Sequence, residues 1–568
     1  MKRLMISTVS ALMLAGLPLE SFAQDYSLCK SLDPAHVSVD HRASISNFKP
    51  AEAYRLCRKF VEVDAAIPNF TPVRKNGETD QHRLENILIY YPWYQSRILR
   101  SYIEMYEATG EARFLEKMIA DIDVLEADAT IQGTYPDGGY GWPAKSKQDV
   151  GANNCSRTTN CVLVGGDPYI DDNGDGKPDY TRKVVHSGNL LYPIARLVEL
   201  LEEDPELDSQ LDPEFRGRSD RYLQLIINVI NTHNAEFCAA GRTDCGTSGR
   251  VSATVKPIAD VAYYFTDTQA KGFKSRNKGW NLPTNQQAVM GSVLAILWGL
   301  DDSDRDNPLG RGTNNYRDMT KGLARAFWRD IRYRPNDDGH GQFAVWHYWW
   351  GQSLNRSSKY EDISHAGLDI EFLVEMRRQG FNARNSSWPF PWGNETTRQG
   401  VETIAQNDDI LRAFANTFTE AIYLGGNDKL ANRVDGSLGQ TTKNGIKEVV
   451  YGDLRSAFNF LDLAEWDNDV YSFSNASNPN PDSYIVVNNA SLPNKVYSIV
   501  KCLYDENADT FPNDRLLHHG LARLTKWAVK TSDNDNADDR RIRCDATRTS
   551  DDFYTDYMTA YLDKLSGR

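Results

Sequence analysis

Helical segments of two kinds take turns along this chain, and that alternation limits the folds open to it. In one kind a polar opening leads into an apolar or small-residue body. His186-Ser187-Gly188-Asn189 precedes such a body at Leu190–Leu201, and Thr284-Asn285-Gln286-Gln287 opens another running to Leu300. The other kind is amphipathic, with apolar residues at three- and four-residue intervals, as in Ala112–Leu125, Tyr222–Ile230 and Tyr316–Ile331. Further helices are expected at Leu84–Tyr106 (stopped by Gly110), Ala366–Met376, Ile410–Tyr423, Leu454–Ala464, Lys495–Leu503, Leu516–Val529 and Phe553–Leu565. A helix that is apolar all round has to be buried, and an amphipathic one can cover it while facing water. The pattern therefore predicts a mainly α chain, a single (α/α)6–7 toroid or barrel with inner helices around one axis and outer helices behind them. The polar openings then share one rim. The long connections 126–185, 238–283 and 332–362 lead to that rim, and loops of such length are usually functional. The alternating run Phe343–Tyr348 predicts a strand of a minor β-hairpin, and Thr284 with Gln287 fits a capping box. No linker and no fixed-length repeat divides the chain, so residues 24–568 are expected to form one domain.

Residues 1–23 read as a secretory signal peptide: Lys2 and Arg3, an apolar run from Leu4 to Leu17, then Ser21-Phe22-Ala23 as a small-x-small cleavage site. The expected location is secreted or periplasmic. No later segment supplies the ~20 apolar residues of a membrane span. The 8 cysteines are an even number, which in an exported chain favours disulfides. Pairing of neighbours, 29–57, 155–161, 238–245 and 502–544, is the simplest arrangement, though spacing alone leaves other connectivities open. The net charge of −14 argues against a nucleic-acid partner. It leaves room for an acidic polysaccharide held in a local basic cleft. A monomer without an organic cofactor is expected.

The richest stretch is Glu361-Asp362-Ile363-Ser364-His365-Ala366-Gly367-Leu368-Asp369, which opens a helix just after the aromatic cluster Trp346-His347-Tyr348-Trp349-Trp350. Imidazole titrates near neutral pH, so His365 is the leading acid/base candidate and His186 a second. Tyr348 is a candidate proton donor or base, and Asn285 a candidate amide donor to a substrate carboxylate. Strand alternation would put Trp346, Tyr348 and Trp350 on one face and His347 and Trp349 on the other. His347, Trp280, Trp350, Trp142 and Asn189 are candidate substrate-binding residues, the tryptophans as stacking platforms. Separately, Asp171-Asp172-Asn173-Gly174-Asp175-Gly176-Lys177-Pro178-Asp179 resembles the start of an EF-hand loop. Asp171, Asn173, Asp175 and Asp179 are its candidate ligands for a structural Ca²⁺, although Arg182 stands where the closing Glu would be.

A histidine, a phenol and an amide at one rim suit β-elimination from a uronic-acid polymer. That reaction needs proton transfer and stabilisation of an enolate-like charge, but no nucleophile. On Thr284-Asn285-Gln286, Ser364-His365-Ala366 and the Tyr-rich loop between them, the chain resembles the α/α-toroid polysaccharide lyases. It looks most similar to polysaccharide lyase family 38, which acts on alginate and glucuronan. The resemblance implies roles for Asn285, His365 and Tyr348, with Tyr423 and Tyr264 as rivals for the tyrosine. A glycoside hydrolase on the same frame would instead need two carboxylates, for which Glu361, Asp362, Asp369 and Asp137 are available. A glycan-binding protein would need aromatic platforms and no acid/base set.

Overall fold

The computed structural model describes residues 25–34, 50–66, 90–129, 140–142, 144–145, 155, 161–164, 167–171, 174, 176, 180–238, 262–264, 281–300, 316–328, 331–335, 342–349, 360–379, 407–424, 429–443, 446–452, 454–463 and 515–530. The expected signal peptide, and the helices expected at Lys495–Leu503 and Phe553–Leu565, lie outside them. The protein is mostly helical, with a few small sheets. Its principal helices are α1 (Pro50–Ala66), α2 (Ser96–Thr109), α3 (Arg113–Ala129), α4 (Val184–Glu203), α5 (Ser219–Thr232), α6 (Thr284–Leu300), α7 (Tyr316–Trp328), α8 (Ile363–Arg378), α9 (Asn407–Asn416) and α10 (Arg515–Lys530).

The packing follows the two kinds of helix. α2 lies against α4, α4 against α6 and α6 against α8. α8 meets the 3₁₀ turn Leu454–Phe460, which touches α10, and α10 returns to α2. A second set covers these: α1 on α10, α3 on α2, α5 on α4, α7 on α6 and α9 on α8. α6 is buried almost all round, whereas α7 buries only one face through Tyr316, Met319, Leu323 and Phe327. Small residues allow the inner helices to approach closely. A Cβ on Gly188 would lie 2.8 Å from Val289 on α6, and one on Gly291 2.6 Å from the Phe372 ring on α8.

Charged side chains fill part of this interior. Arg100 pairs with Glu371 at 2.6 Å, Arg196 with Glu107 at 2.9 Å, Arg523 with Asp462 at 2.9 Å and Lys526 with Glu104 at 2.9 Å. The Tyr192 hydroxyl donates to Glu375 at 3.1 Å. The cavity they leave is about 20 Å³, room for one or two waters.

Several boundaries differ from the sequence expectation for local reasons. Of the helix expected over Leu84–Tyr106, residues 84–89 lie outside the described ones, Tyr90–Gln95 forms a wide turn, and the regular helix begins at Ser96. Pro92 lacks the N–H a regular helix needs, and its carbonyl accepts from Ser96 Oγ at 2.7 Å. α9 likewise ends in a wide turn, Thr417–Ile422. The capping box at α6 does not form. Gln287 accepts from the Tyr264 N–H at 2.9 Å and donates to the Leu282 carbonyl at 2.6 Å, while Thr284 Oγ1 donates to the His347 carbonyl at 3.2 Å. The pair has been recruited to tie strands to the helix start.

The strands are short and pair antiparallel in twos: β1 (Ala144–Lys145) with β4 (Tyr180–Thr181), β2 (Cys161–Val164) with β3 (Asp167–Ile170), β5 (Phe237–Cys238) with β6 (Tyr263–Tyr264), β7 (Arg332–Pro335) with β8 (Gln342–Val345), and β9 (Gly439–Lys443) with β10 (Ile446–Val450). β8 covers the first half of the expected strand Phe343–Tyr348; past it His347 makes a single bridge to Tyr360, and the chain bends at Tyr348 and Trp349. Disulfides join Cys29 to Cys57 and Cys155 to Cys161, two of the four neighbour pairs. Cys238 is also disulfide-bonded, and Cys245, Cys502 and Cys544 lie outside the described residues. Disulfides suit an oxidising compartment. Among the described residues no helix is long and apolar enough to cross a membrane.

Candidate functional site

The first turns of α4, α6 and α8 meet at one end of the inner set. Val185, Val289 and Leu368, one from each helix, form a small apolar patch there, and Trp93 packs against it. Trp93 comes from the wide turn that precedes α2. Its ring stands edge-on to His186 and to His365, each with centroids 6.3 Å away. The Tyr348 ring lies 6.0 Å from His365. The Tyr348 carbonyl accepts from the Thr284 N–H at 2.9 Å, which fixes the loop to the start of α6.

Asp362 makes the opening of α8. It is the N-cap, and its Oδ1 accepts the N–H groups of Ser364 and His365, both at 3.1 Å. Its Oδ2 lies 2.6 Å from His365 Nδ1. A carboxylate only accepts, so Nδ1 carries the proton, and in the neutral ring Nε2 is then the nitrogen with the lone pair. Burial pushes the Asp362 carboxyl up, but the hydrogen bonds from His365 and Ser364 outweigh it, and the net displacement is downward. The His365 side chain keeps 35% of its exposure, so the imidazole is reachable from solvent.

Beneath this pair lie two buried acids, Glu361 and Asp369. Glu361 is fully buried, and its carboxyl accepts from Asn285 Nδ2 at 3.2 Å and from the Asp362 N–H at 3.1 Å. Burial first, then the neighbouring Asp369 and Asp362, push Glu361 well above the usual carboxylate range. Asp369 accepts from the Trp346 indole N–H at 2.8 Å. Tyr348 is also displaced upward, by burial and then by Glu361 and Asp362, so it holds its proton at neutral pH.

The segment after β8 sends successive side chains to different partners. Trp346 meets Asp369 and Tyr348 meets His365, one helical turn apart on α8. His347 turns the other way, is buried, and stacks on Tyr360 at 4.6 Å, whose hydroxyl accepts from Arg334 Nη2 at 2.9 Å. His186 and Asn285 are buried at the site, and Asn189 lies deeper, where its Oδ1 is 3.4 Å from Arg100. Trp142 is 2% exposed, and its indole N–H is spent on the Leu125 carbonyl at 3.0 Å, so it packs the core and offers no open ring. Trp280 and Trp350 lie outside the described residues, as does Asp137. Tyr264 is buried in its strand pair and Tyr423 stacks on Phe418; His365 has Tyr348 as its neighbour.

Glu361, Asp362 and His365 each bring a ligand atom within 4.8 Å of the others, so this cluster could hold a metal ion. Two donors on one ion with bonds of ~2.1 Å stand about 3 Å or more apart. The Asp362–His365 contact is closer than that, so it is a hydrogen bond that a metal would have to spread. At the EF-hand-like loop, Asp171 accepts from the Gly176 N–H at 3.0 Å, and Gly174 and Gly176 take the left-handed turn with φ of 71° and 77°. Asn173, Asp175 and Asp179 lie outside the described residues.

Trp93 and the capping role of Asp362 were missed in the sequence. Trp93 falls inside the helix expected over Leu84–Tyr106, where an aromatic residue reads as core. Asp362 did carry a signal, an Asp directly before a helix with histidine three residues on. No family model, no curated protein and no solved structure matches the chain.

Proposed function

We propose that this protein is an exported lyase that cleaves a uronic-acid-containing polysaccharide, of the alginate or glucuronan kind, by β-elimination. The observation that carries the reading is the Asp362–His365 pair facing the Tyr348 phenol. Asp362 directs the imidazole so that Nε2 is the base that removes the proton next to the sugar carboxylate. Tyr348, kept protonated by its surroundings, donates to the departing 4-linked oxygen. General acid and base catalysis of this sort contributes roughly 10²–10⁴-fold per group. His186 and Trp93 border the sugar. The closed order of inner helices and their outer covers supports the α/α toroid as the frame.

A hydrolase would need two carboxyl groups facing each other across the sugar, roughly 5–9.5 Å apart. Glu361 and Asp369 are both fully buried, which favours the lyase. The test is incubation with alginate, glucuronan, pectate and a glycosaminoglycan, following ultraviolet absorbance of the unsaturated product. Growth of that absorbance with one polymer is the expected result. New reducing ends without it would replace the lyase by a hydrolase, and binding without either would make the protein a glycan carrier.

A further inference from the structure

His518 sits where α10 packs on the first two helices. It is fully buried, and its two ring nitrogens reach two different elements. Nδ1 is 2.9 Å from Ser101 Oγ on α2, and Nε2 is 3.0 Å from Asp64 Oδ1 on α1. These contacts span 417 and 454 positions of sequence. Phe60 of α1 walls the ring, with centroids 4.2 Å apart, and Tyr102 of α2 meets it edge-on at 5.9 Å.

The partners decide the charge of this imidazole. The Ser101 hydroxyl has one proton, and Oγ gives it to the Arg97 carbonyl at 2.7 Å. Toward His518 the same oxygen can only accept, so Nδ1 carries a proton. Asp64 is a carboxylate: Tyr102 Oη donates to it at 2.9 Å, and the Lys117 ammonium of α3 pairs with it. Against the upward push of burial, His518 and Lys117 hold its carboxyl well below the usual range. A carboxylate only accepts, so Nε2 carries a proton too. A ring protonated at both nitrogens is an imidazolium, and each of its N–H groups has an acceptor. That is the condition under which a buried charge is tolerated.

The surroundings from the other elements are mixed. Tyr102 faces His518 from α2. Lys117 reaches it through Asp64, and Asp121 of α3 lies beyond the same carboxylate. On α10 itself His519 comes next and faces a different set. Burial first, then Arg523, Arg97 and Arg100, hold His519 well below the usual histidine range. Arg523 is in turn taken by Asp462 at 2.9 Å. Two consecutive histidines thus differ in charge because they meet different helices.

We propose that His518 is a pH-operated latch on the seam between α10 and the first two helices. With two protons it ties α10 to both α1 and α2. A neutral ring has one N–H and one lone pair. The lone pair would then face either a carboxylate oxygen or a hydroxyl whose proton is committed, so one of the two ties is lost and α10 loosens. An unfolded histidine titrates near ~6.5. Above that value the native seam keeps a proton that the unfolded chain has lost. The stability it contributes is therefore fully present below ~6.5 and falls as pH rises, until His518 itself lets go. The latch goes beyond the catalytic reading and stands without it.

Two measurements on the full chain test this. Long-range ¹H–¹⁵N NMR of the imidazole rings reads protonation directly, and among the 10 histidines His518 is assigned by the signal lost in His518→Gln. At about pH 7.5, where a free histidine is mostly neutral, both its nitrogens are expected at the protonated shift. Hydrogen exchange then reads the seam. As pH rises above ~6.5, protection of the α10 amides should fall by up to about tenfold per pH unit, the signature of one linked proton. His518→Gln should weaken that protection at low pH and remove this pH dependence. Asp64→Asn, which keeps an acceptor and loses the charge, is the second variant should the first not fold: the ring should then titrate at lower pH than in the parent. A neutral His518 ring at about pH 7, an Asp64→Asn titration no lower than the parent's, or α10 protection with the same pH dependence in His518→Gln overturns the proposal.

Discussion

The two ends of the inner helices bury charge in opposite ways. At the far end, where α2, α4 and α8 finish, cations meet acids directly: Arg196 with Glu107 and Glu199, Arg378 with Glu375, Lys526 with Glu104 and Glu107. At the rim where the helices begin, Arg97 donates to a neutral partner, and the buried Glu361 is pushed upward by its acidic neighbours Asp369 and Asp362. Matched charges at one end hold helices together and ask for nothing further. Mismatched ones at the other end cost stability, and proteins tend to retain such violations where function requires them. The comparison is therefore a claim about where activity and stability reside, and substitutions at the two ends should separate them.

The largest separation is expected from His365→Ala at the rim. Turnover should fall by about 10³–10⁴-fold, the upper part of the range for one acid/base group, while urea unfolding stays close to that of the parent because the imidazole is partly exposed and the backbone N–H bonds to Asp362 remain. Substantial turnover remaining in that variant would remove the imidazole from the chemistry. The mirror experiment is Arg196→Met at the far end, which strands the acids it pairs with. Breaking a buried pair from one side costs about 3–5 kcal/mol, so the midpoint of urea unfolding should drop while kcat of the folded fraction holds. A fall in kcat with stability intact would erase the distinction between the ends. Smaller is Tyr348→Phe, which removes one hydroxyl. We expect kcat to drop by about 10²-fold with little change in KM, since the ring and its contact with His365 remain.

What could be read in advance follows the range of the interactions. The bodies of α6 and α7 were legible because burial stamps a period on the residues themselves. The opposite facing of His347 and Tyr348 followed from strand geometry. The failed capping box shows where that reach ends: Gln287 has the right spacing to cap but is claimed by Tyr264 of a strand pair. Charge matching lies further off still. The Arg97–Asn459 contact spans 362 positions and Arg100–Glu371 spans 271, so no local pattern says which arginine keeps a carboxylate. Trp93 was missed for a third reason: inside an expected helix an aromatic residue reads as core, and the wide turn at Tyr90–Gln95 that turns it to the site was not foreseen.

The finest test asks whether mismatch alone is enough to mark a functional place. Asp121 on α3 is an acid with incomplete pairing away from the rim. Burial and the nearby Asp64 push it up to about 8, against partial relief from Gln95, whose amide donates to it at 2.5 Å, and from Lys117. An unfolded aspartate titrates near ~3.9. Between about 4 and 8 the native state thus holds a proton that the unfolded chain has lost, and stability falls as pH rises through that window. Asp121→Asn should flatten this slope and raise stability at the alkaline side of it, in urea unfolding measured at several pH values. Turnover should be unchanged, because no candidate site residue contacts this acid. Loss of turnover with the expected gain in stability would mean that uncompensated charge matters to the reaction wherever it lies, and the rim would lose its special standing.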